Sequence, residues 1–323
     1  MKHSILVVGG AGYIGSHVVH DLFEQGHKVT VFDNLSTGSK RNIPEGVELV
    51  EADLINKDQI ARVLESGIDV VFHFAAKKAV GESMELPMKY AENNLVGTLN
   101  LLQCMHETGV RQFVFSSSAA VYGSPLEQPI SEQHPCAPEN YYGYTKLAIE
   151  ENLSWFARLG GLKFASLRYF NATGYDINQR VVERELSTSN LCPIIMESVT
   201  GIRGPMQVFG GDFDTRDGTC IRDYIHVNDL SEAHLLAMDY IFENDDSLIL
   251  NLGAESGTTV LEMIQAAENA LGLRVDYSIT DRRHGDPAVL VASSKTAEQK
   301  LNWKASRSDL ETIFRSMGPV YGL

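Results

Sequence analysis

Short apolar runs recur through the first half of this chain, and stretches with helical spacing stand between several of them. The runs are Ser4 to Val8, Lys28 to Phe32, Val47 to Glu51, Asp69 to Phe74, Gln112 to Ser116 and Lys163 to Arg168. The helical stretches are Tyr13 to Gln25, about Pro87 to Glu107 and about Tyr142 to Leu159. Strands separated by helices of that length cannot pair as hairpins. Each connection has to cross over, which leaves neighbouring strands parallel and both sheet faces covered by helices. Continuous Val, Ile, Leu and Phe runs, rather than strict alternation, fit strands buried on both faces. The expectation is an α/β protein with a doubly wound parallel sheet.

The first strand-to-helix junction reads Gly9-Gly10-Ala11-Gly12-Tyr13-Ile14-Gly15. It satisfies both G-x-G-x-x-G and G-x-x-G-x-x-G. Glycines there allow a tight turn and let a pyrophosphate approach backbone N–H groups at the positive end of the helix dipole. Asp33 closes the second run. A carboxylate there can accept hydrogen bonds from ribose hydroxyls and repels a 2′-phosphate, which selects NAD over NADP. The sheet is thus expected to be of the Rossmann type. Asp53, after the third strand, is a candidate for the adenine edge.

After Gly174 the rhythm changes. Residues 178–190 are polar without a sustained period, and turn signals follow at Gly210-Gly211-Asp212 and Asp217-Gly218. This divides the chain into an NAD-binding domain over residues 1–174 and a smaller α/β substrate domain over 175–323. The helical pattern at about 227–242 is free to return to the first domain.

Composition removes other classes. The chain has 323 residues, 44% hydrophobic and 21% charged, which is globular. Its net charge of -15 argues against a nucleic-acid or acidic-membrane binder, yet leaves room for a small anion held by local arginines. Cys104, Cys136, Cys192 and Cys220 have no metal or disulfide spacing and fit a reducing compartment. No apolar run approaches the ~18 residues of a membrane span. A cytoplasmic protein without a metal is expected.

Tyr142 and Lys146 are four apart at the start of a helix and so share a face. Tyrosine is a poor base at its ordinary pKa of about 10. A neighbouring ammonium and a cationic nicotinamide would both favour the phenolate. Ser116-Ser117-Ser118 ends the fifth strand and offers a hydroxyl to a substrate oxygen.

Further blocks extend the pattern: Phe32-Asp33-Asn34-Leu35, His73-Phe74-Ala75-Ala76, Lys78-Ala79-Val80-Gly81-Glu82-Ser83, Leu167-Arg168-Tyr169-Phe170-Asn171, residues 217–227 and Leu301-Asn302-Trp303. With these, the chain resembles the extended short-chain dehydrogenase/reductase family over essentially its whole length, and within it the enzymes that invert C4 of UDP-hexoses. The resemblance implies a catalytic set of Ser118, Tyr142 and Lys146. For the cofactor it implies Gly9, Gly12, Tyr13, Ile14, Gly15, Asp33, Asn34, Asp53, Leu54, Phe74, Ala75, Lys78, Asn93 and Phe170, beside the catalytic three. For a UDP-sugar it implies Asn171, Asn190, Leu191, Gln207, Phe209, Arg222, Tyr224, Arg283, Asp286 and Val289, with Lys78, Ser118 and Tyr142 shared. Arg222 and Arg283 would grip the diphosphate. The implied activity is reversible interconversion of UDP-glucose and UDP-galactose through a 4-keto sugar, with NAD kept bound. A homodimer built on the helices starting near Pro87 and Tyr142 is also implied.

A 4,6-dehydratase would carry an Asp-Glu pair where Ala119-Ala120 stand. A 4-epimerase acting mainly on N-acetylated UDP-hexosamines stays open, because the position resembling the family's sugar gate is Val289, which leaves room. Some turnover of UDP-N-acetylglucosamine is expected. A catalytically dead NAD sensor would have lost Tyr142, Lys146 or the serine. His17 and His20, three apart, read as a packed or solvated helix face, Asp212 and Asp214 as a turn, and His226 as a core histidine. Gly318-Pro319 should stop the last helix.

Overall fold

The computed structural model describes residues 1–186, 189–283 and 285–323. Its main sheet has seven strands. Six match the apolar runs: β1 (Ser4–Val8), β2 (Lys28–Asp33), β3 (Glu48–Glu51), β4 (Val70–His73), β5 (Gln112–Ser118) and β6 (Lys163–Tyr169). The order is Leu248–Leu252, β6, β5, β4, β1, β2, β3, and the pairs β1–β2, β1–β4, β2–β3 and β4–β5 are parallel. The chain therefore winds outward from β1 to β3, then restarts at β4 on the other side of β1. That reversal opens a crevice at the carboxyl ends of β1 and β4, the place where such sheets bind ligands.

Alternation along the strands divides the core. Leu6 and Val8 of β1 and Phe113 and Phe115 of β5 pack in one cluster with Leu101, Leu102 and Met105 of helix Gly97–Thr108 and Ile149 and Leu153 of helix Tyr141–Gly160. Ile5 and Val7 of β1 are also fully buried but lie outside that cluster. Successive side chains of a strand point to opposite faces, so they serve the other layer. Helix α1 (Tyr13–Glu24) buries Val18, Val19 and Leu22. Asn140 caps helix Tyr141–Gly160 by accepting from Gly143 N at 2.8 Å, and left-handed Gly161 ends it.

Several features depart from the sequence expectation. Helix Lys57–Leu64 and strand Leu248–Leu252 were not anticipated. The stretch expected as one helix from about Pro87 to Glu107 is broken: Pro87–Tyr90 and Gly97–Thr108 are α-helical, and a π-helical turn, Ala91–Val96, joins them.

The chain forms two compact units. The first comprises Met1–Gly123, Pro135–Arg168 and Ser231–Leu250, and carries the main sheet. The second comprises Ser124–His134, Tyr169–Leu230 and Asn251–Leu323. It holds a three-stranded sheet (Thr258–Thr259, Ile221–Arg222, Val289–Leu290) and two parallel two-stranded ones, Asn171–Thr173 with Tyr224–His226 and Met206–Phe209 with Tyr277–Thr280. Helix Val260–Leu271 starts in a capping box between Thr259 and Glu262. The last helix, Leu310–Met317, stops before Gly318-Pro319, and a single 3₁₀ turn follows, with Tyr321 edge-on to Tyr175 at 6.4 Å.

Candidate active site

In the first unit the glycine loop leaves β1 with Gly9 at φ +79°. A Cβ on Gly9 would stand 2.5 Å from Ala75 N, and one on Gly15 would stand 2.2 Å from Gly9 O. Both positions exclude any side chain, so the loop lies flat against the end of β4 and against its own helix. Gly12 caps α1 with no side-chain hydrogen bond, which leaves the first N–H groups of the helix to meet an anion.

Asp33 closes β2 and is 8% exposed. Its Oδ2 accepts from Ala11 N at 2.9 Å and its Oδ1 from Leu35 N at 2.8 Å. Burial raises its carboxyl, and those two N–H groups oppose the rise. Asn34 donates to Asp53 Oδ2 at 2.8 Å, and Ile55 N donates to Asp53 Oδ1 at 3.0 Å, so Asn34 and Asp53 brace each other along this rim. The Leu54 carbonyl accepts from Asn100 at 3.0 Å. The Phe74 ring lies tilted against His234 with centres 4.9 Å apart, and Phe74 N and Ala75 N both donate to Val8 O. Lys78 is exposed, with Nζ 5.8 Å from the Tyr13 ring centre.

Asn93 is only partly buried, whereas Asn94 is fully buried. Asn94 Oδ1 accepts from Lys77 N at 2.9 Å, and its Nδ2 donates to Lys77 O at 3.0 Å and Thr145 Oγ1 at 3.1 Å. The asparagine that ties the post-β4 loop to the catalytic helix is thus Asn94, which the sequence reading missed.

Ser118 ends β5 and Tyr142 opens its helix, and their hydroxyls are hydrogen-bonded. Lys146 is 2% exposed; its Nζ donates to Ser116 O at 2.7 Å and lies 4.8 Å from the Phe115 ring centre and 5.9 Å from that of Tyr142. Burial pushes Lys146 down to about 7, against the pull of Glu150. Burial also raises Tyr142, and the Ser118 hydrogen bond opposes it. The expected lowering of the tyrosine is therefore not present in the protein alone. A lysine near 7 is only partly charged at neutral pH, and it stands beside the ring rather than bonded to the hydroxyl. His73, at the end of β4, bonds Thr98 Oγ1 through Nε2 at 2.8 Å and is pushed by burial down to about 3, so it is neutral.

In the second unit, Arg222 and Asp286 are hydrogen-bonded to each other, and Arg222 also donates to Ile221 O at 2.8 Å. The Arg283 guanidinium lies 3.9 Å from the Phe209 ring centre. Gln207 is exposed on the same strand as Phe209. Asn171 and Tyr224 are register partners, and Asn171 N and Nδ2 both donate to Asp223 O, at 3.1 and 2.9 Å. Asn190 caps and Leu191 begins helix Leu191–Val199, and Phe170 precedes Asn171 near the start of the Tyr169–Leu230 segment. Asp223 went unremarked in the sequence. Its buried carboxylate accepts from Ala254 N, Glu255 N and Ala292 N, burial pushes it up to about 6, and it anchors the backbone between Arg222 and Tyr224. Val289 pairs with Ile221, while Leu290 pairs with Arg222. Residues in register share a sheet face, so Leu290 is the side chain beside Arg222 and Val289, the position resembling the sugar gate, lies beside Ile221.

The NAD dependent epimerase/dehydratase family matches residues 5–253. The chain belongs to this family. A UDP-glucose 4-epimerase of Halalkalibacterium halodurans is 45% identical over 312 residues, 96% of this chain and 93% of the relative. Among solved structures, the UDP-glucose 4-epimerase of Brucella ovis in complex with NAD has a TM-score of 0.97 at 41% identity, covering 100% of this chain and 99% of that one. The enzyme of Stenotrophomonas maltophila, with bound NAD and formylated UDP-arabinopyranose, has a TM-score of 0.95 at 40% identity, covering 99% and 98%.

The residues present fit the family's cofactor. Two side-chain-free positions, an uncapped helix start and a carboxylate fixed at the end of β2 are what a dinucleotide without a 2′-phosphate requires. Among the described residues no cluster of three His, Cys, Asp or Glu is placed to hold a metal ion. His17 is buried with Nδ1 2.7 Å from Tyr13 O, and Asp212 pairs with Arg282 at 2.6 Å. His226 bonds Ser316 Oγ and Asn228 N, and burial pushes it down to about 4. Among the described residues no helix is long and apolar enough to cross a membrane, and the four thiols are free.

Proposed function

We propose that this chain inverts C4 of UDP-galactose and UDP-glucose, interconverting them through a 4-keto sugar. One observation carries the reading most: the hydrogen-bonded Ser118–Tyr142 pair stands one helical turn before buried Lys146, at the edge of the sheet where the glycine loop sits. Bound NAD supplies the hydride acceptor and, once reduced, the donor. Tyr142 takes the proton from the sugar 4-hydroxyl and returns it after inversion, so the residue ends as it began. Ser118 holds the sugar oxygen and relays its proton to the Tyr142 phenolate oxygen. Lys146 supplies the positive charge that a Tyr142 phenolate needs. The second unit serves as the UDP-sugar domain, with Arg222 and Arg283 on the diphosphate; their partners Asp286 and Phe209 hold the guanidiniums oriented.

The test is purified protein with UDP-galactose and no added NAD. UDP-glucose should form until the two sugars equilibrate, and no conversion sinks the proposal. The same panel includes UDP-N-acetylgalactosamine. Conversion of that sugar alone would move the reading to an epimerase for N-acetylated hexosamines.

We further infer a homodimer. Met84, Met88, Val96 and Leu99, together with Trp155 and Leu159, leave large apolar surfaces exposed, and helix Tyr141–Gly160 packs against the 80–85 and 91–96 segments that carry some of them. A patch of this kind on a monomer marks an interface, and the resemblance supplies the occupant, a second copy. Trp155→Asp with Leu159→Asp should halve the mass read by light scattering; an unchanged mass excludes this face. A reducing compartment, the cytoplasm, suits the four free thiols.

A further inference from the structure

Next to the Ser118–Tyr142–Lys146 set lies a buried carboxylate with no role in the chemistry above. Glu150 is one turn beyond Lys146 on the same helix face and is 2% exposed. Two strands clasp it. Ser117 Oγ, at the end of β5, donates to Oε1 at 2.5 Å. Arg168, near the end of β6, forks onto the carboxylate: Nε lies 3.0 and 3.1 Å from the two oxygens and Nη2 lies 2.5 Å from Oε2. Arg168 Nη1 donates to the Tyr122 hydroxyl at 2.9 Å, and the guanidinium lies 5.0 Å from the Tyr122 ring centre. Lys146 itself donates to Ser116 O. The strand end that carries Ser118 is therefore tied twice to the catalytic helix, once through Lys146 and once through Glu150.

A buried ion pair is a poor stabiliser, because desolvation of both charges offsets their attraction. Stability alone gives little reason for this one. We propose that Glu150, locked by Arg168, is a positioning residue that fixes the end of β5 beside the catalytic helix and stabilises the Lys146 ammonium next to Tyr142. The geometry stands by itself; only the activity readout rests on the epimerase reading.

The charges around Lys146 support this. From its own helix it faces Tyr142 and Glu150, and from β4 the neutral His73; β5 offers the Ser116 carbonyl and the Phe115 ring. Behind Glu150 stand Arg168, Tyr122 and the Cys136 thiol, which bonds Arg168, is raised by burial and is influenced by Glu151. Glu150 is the one carboxylate acting on Lys146 against burial.

The test is Glu150→Gln in the full-length protein. The Lys146 midpoint is read by ¹³C NMR with lysine labelled at the ε-carbon and assigned by the peak missing from Lys146→Arg. It should fall by at least about one pH unit, a tenfold loss of proton affinity. The alkaline limb of kcat for UDP-galactose should move down with it, while KM stays near the parent value. Glu150→Asp, which keeps the charge, should leave the midpoint in place. If Glu150→Gln does not fold, Glu150→Gln with Arg168→Met removes both buried charges and should show the same shift. A merely structural pair would lower the unfolding temperature and leave the midpoint and the limb unmoved, and that outcome overturns the proposal. If the parent converts no UDP-galactose yet the midpoint shifts, the epimerase reading fails and this inference stands.

Discussion

Replacing Tyr142 with phenylalanine is expected to lower kcat for UDP-galactose by about a hundred- to ten-thousand-fold, the usual worth of a positioned proton-transfer group. KM, bound NAD and fold should change little. The reason is local. The substitution keeps the ring and the backbone bond by which Tyr142 N donates to Ser83 Oγ, on helix Val80–Glu85, at 3.1 Å. It deletes only the hydroxyl bonded to Ser118. Ser118 cannot take over, because a serine hydroxyl is a far weaker acid and its oxygen already accepts from Ala120 N at 3.2 Å. The pH profile of the parent follows from the two shifts. Burial raises Tyr142, so the rate should climb with pH as the phenolate forms. Lys146 sits near 7, and bound cofactor favours the phenolate; with Tyr142 brought below Lys146 in this way, the rate should fall again as that ammonium is lost. Steady-state rates beside the absorbance of bound cofactor check this. If Tyr142→Phe kept more than about a tenth of the parent rate, Tyr142 would have no part in the proton transfer.

How far such a site can be read from sequence depends on separation along the chain. Tyr142 and Lys146 were legible because a helix brings residues four apart together. Asp33 was legible because it ends an apolar run. Glu150 lies on that same helical face, but its meaning comes from Ser117 and Arg168, which belong to two other strands. Asn94 illustrates a different limit. A π-helical turn inserts one residue, which rotates every later position by about 100°. A face read from a regular period is then displaced beyond the turn, so Asn94 does not stand out in the sequence, whereas Asn93 comes from the resemblance as a cofactor-contacting position.

The missed elements have similar causes. Strand Leu248–Leu252 contains Asn251, which looks like a break in an apolar run. In the fold that side chain is fully buried and donates to Ile130 O at 2.9 Å, a partner no local pattern reveals. Helix Lys57–Leu64 did carry a signal: Asn56 caps it by accepting from Gln59 N, and Ile60 and Leu64 share a face. Its eight residues are too few for a period to stand out. The second unit is built from strands of two to four residues, so Arg222 and Asp286 meet only through tertiary structure.

The glycine loop gives the largest expected effect on the cofactor. Gly9→Ala should lose nearly all bound NAD, and the argument separates two contributions. At φ +79° any Cβ is strained, which costs about 1–2 kcal/mol. Gly67, at φ +89° with nothing within 4 Å of its missing Cβ, carries that contribution alone. Gly67→Ala should therefore lower stability by about 1–2 kcal/mol and keep its NAD. At Gly9 the new methyl also meets Ala75 N, Ala75 Cα and Phe74 C at 2.5, 2.8 and 2.9 Å. These are backbone atoms at the end of β4 and cannot rotate away. Relief requires the glycine loop and the Phe74–Ala75 segment to part, and both line the place where the pyrophosphate must approach N–H groups. A displacement worth a further 1.4 kcal/mol or so weakens binding about tenfold, and relief of a backbone clash costs more than that. The comparison is the NAD released by heating each purified protein. Equal NAD in Gly9→Ala and Gly67→Ala would mean that only dihedral strain matters, and that the close approach of the loop to β4 does not hold the cofactor.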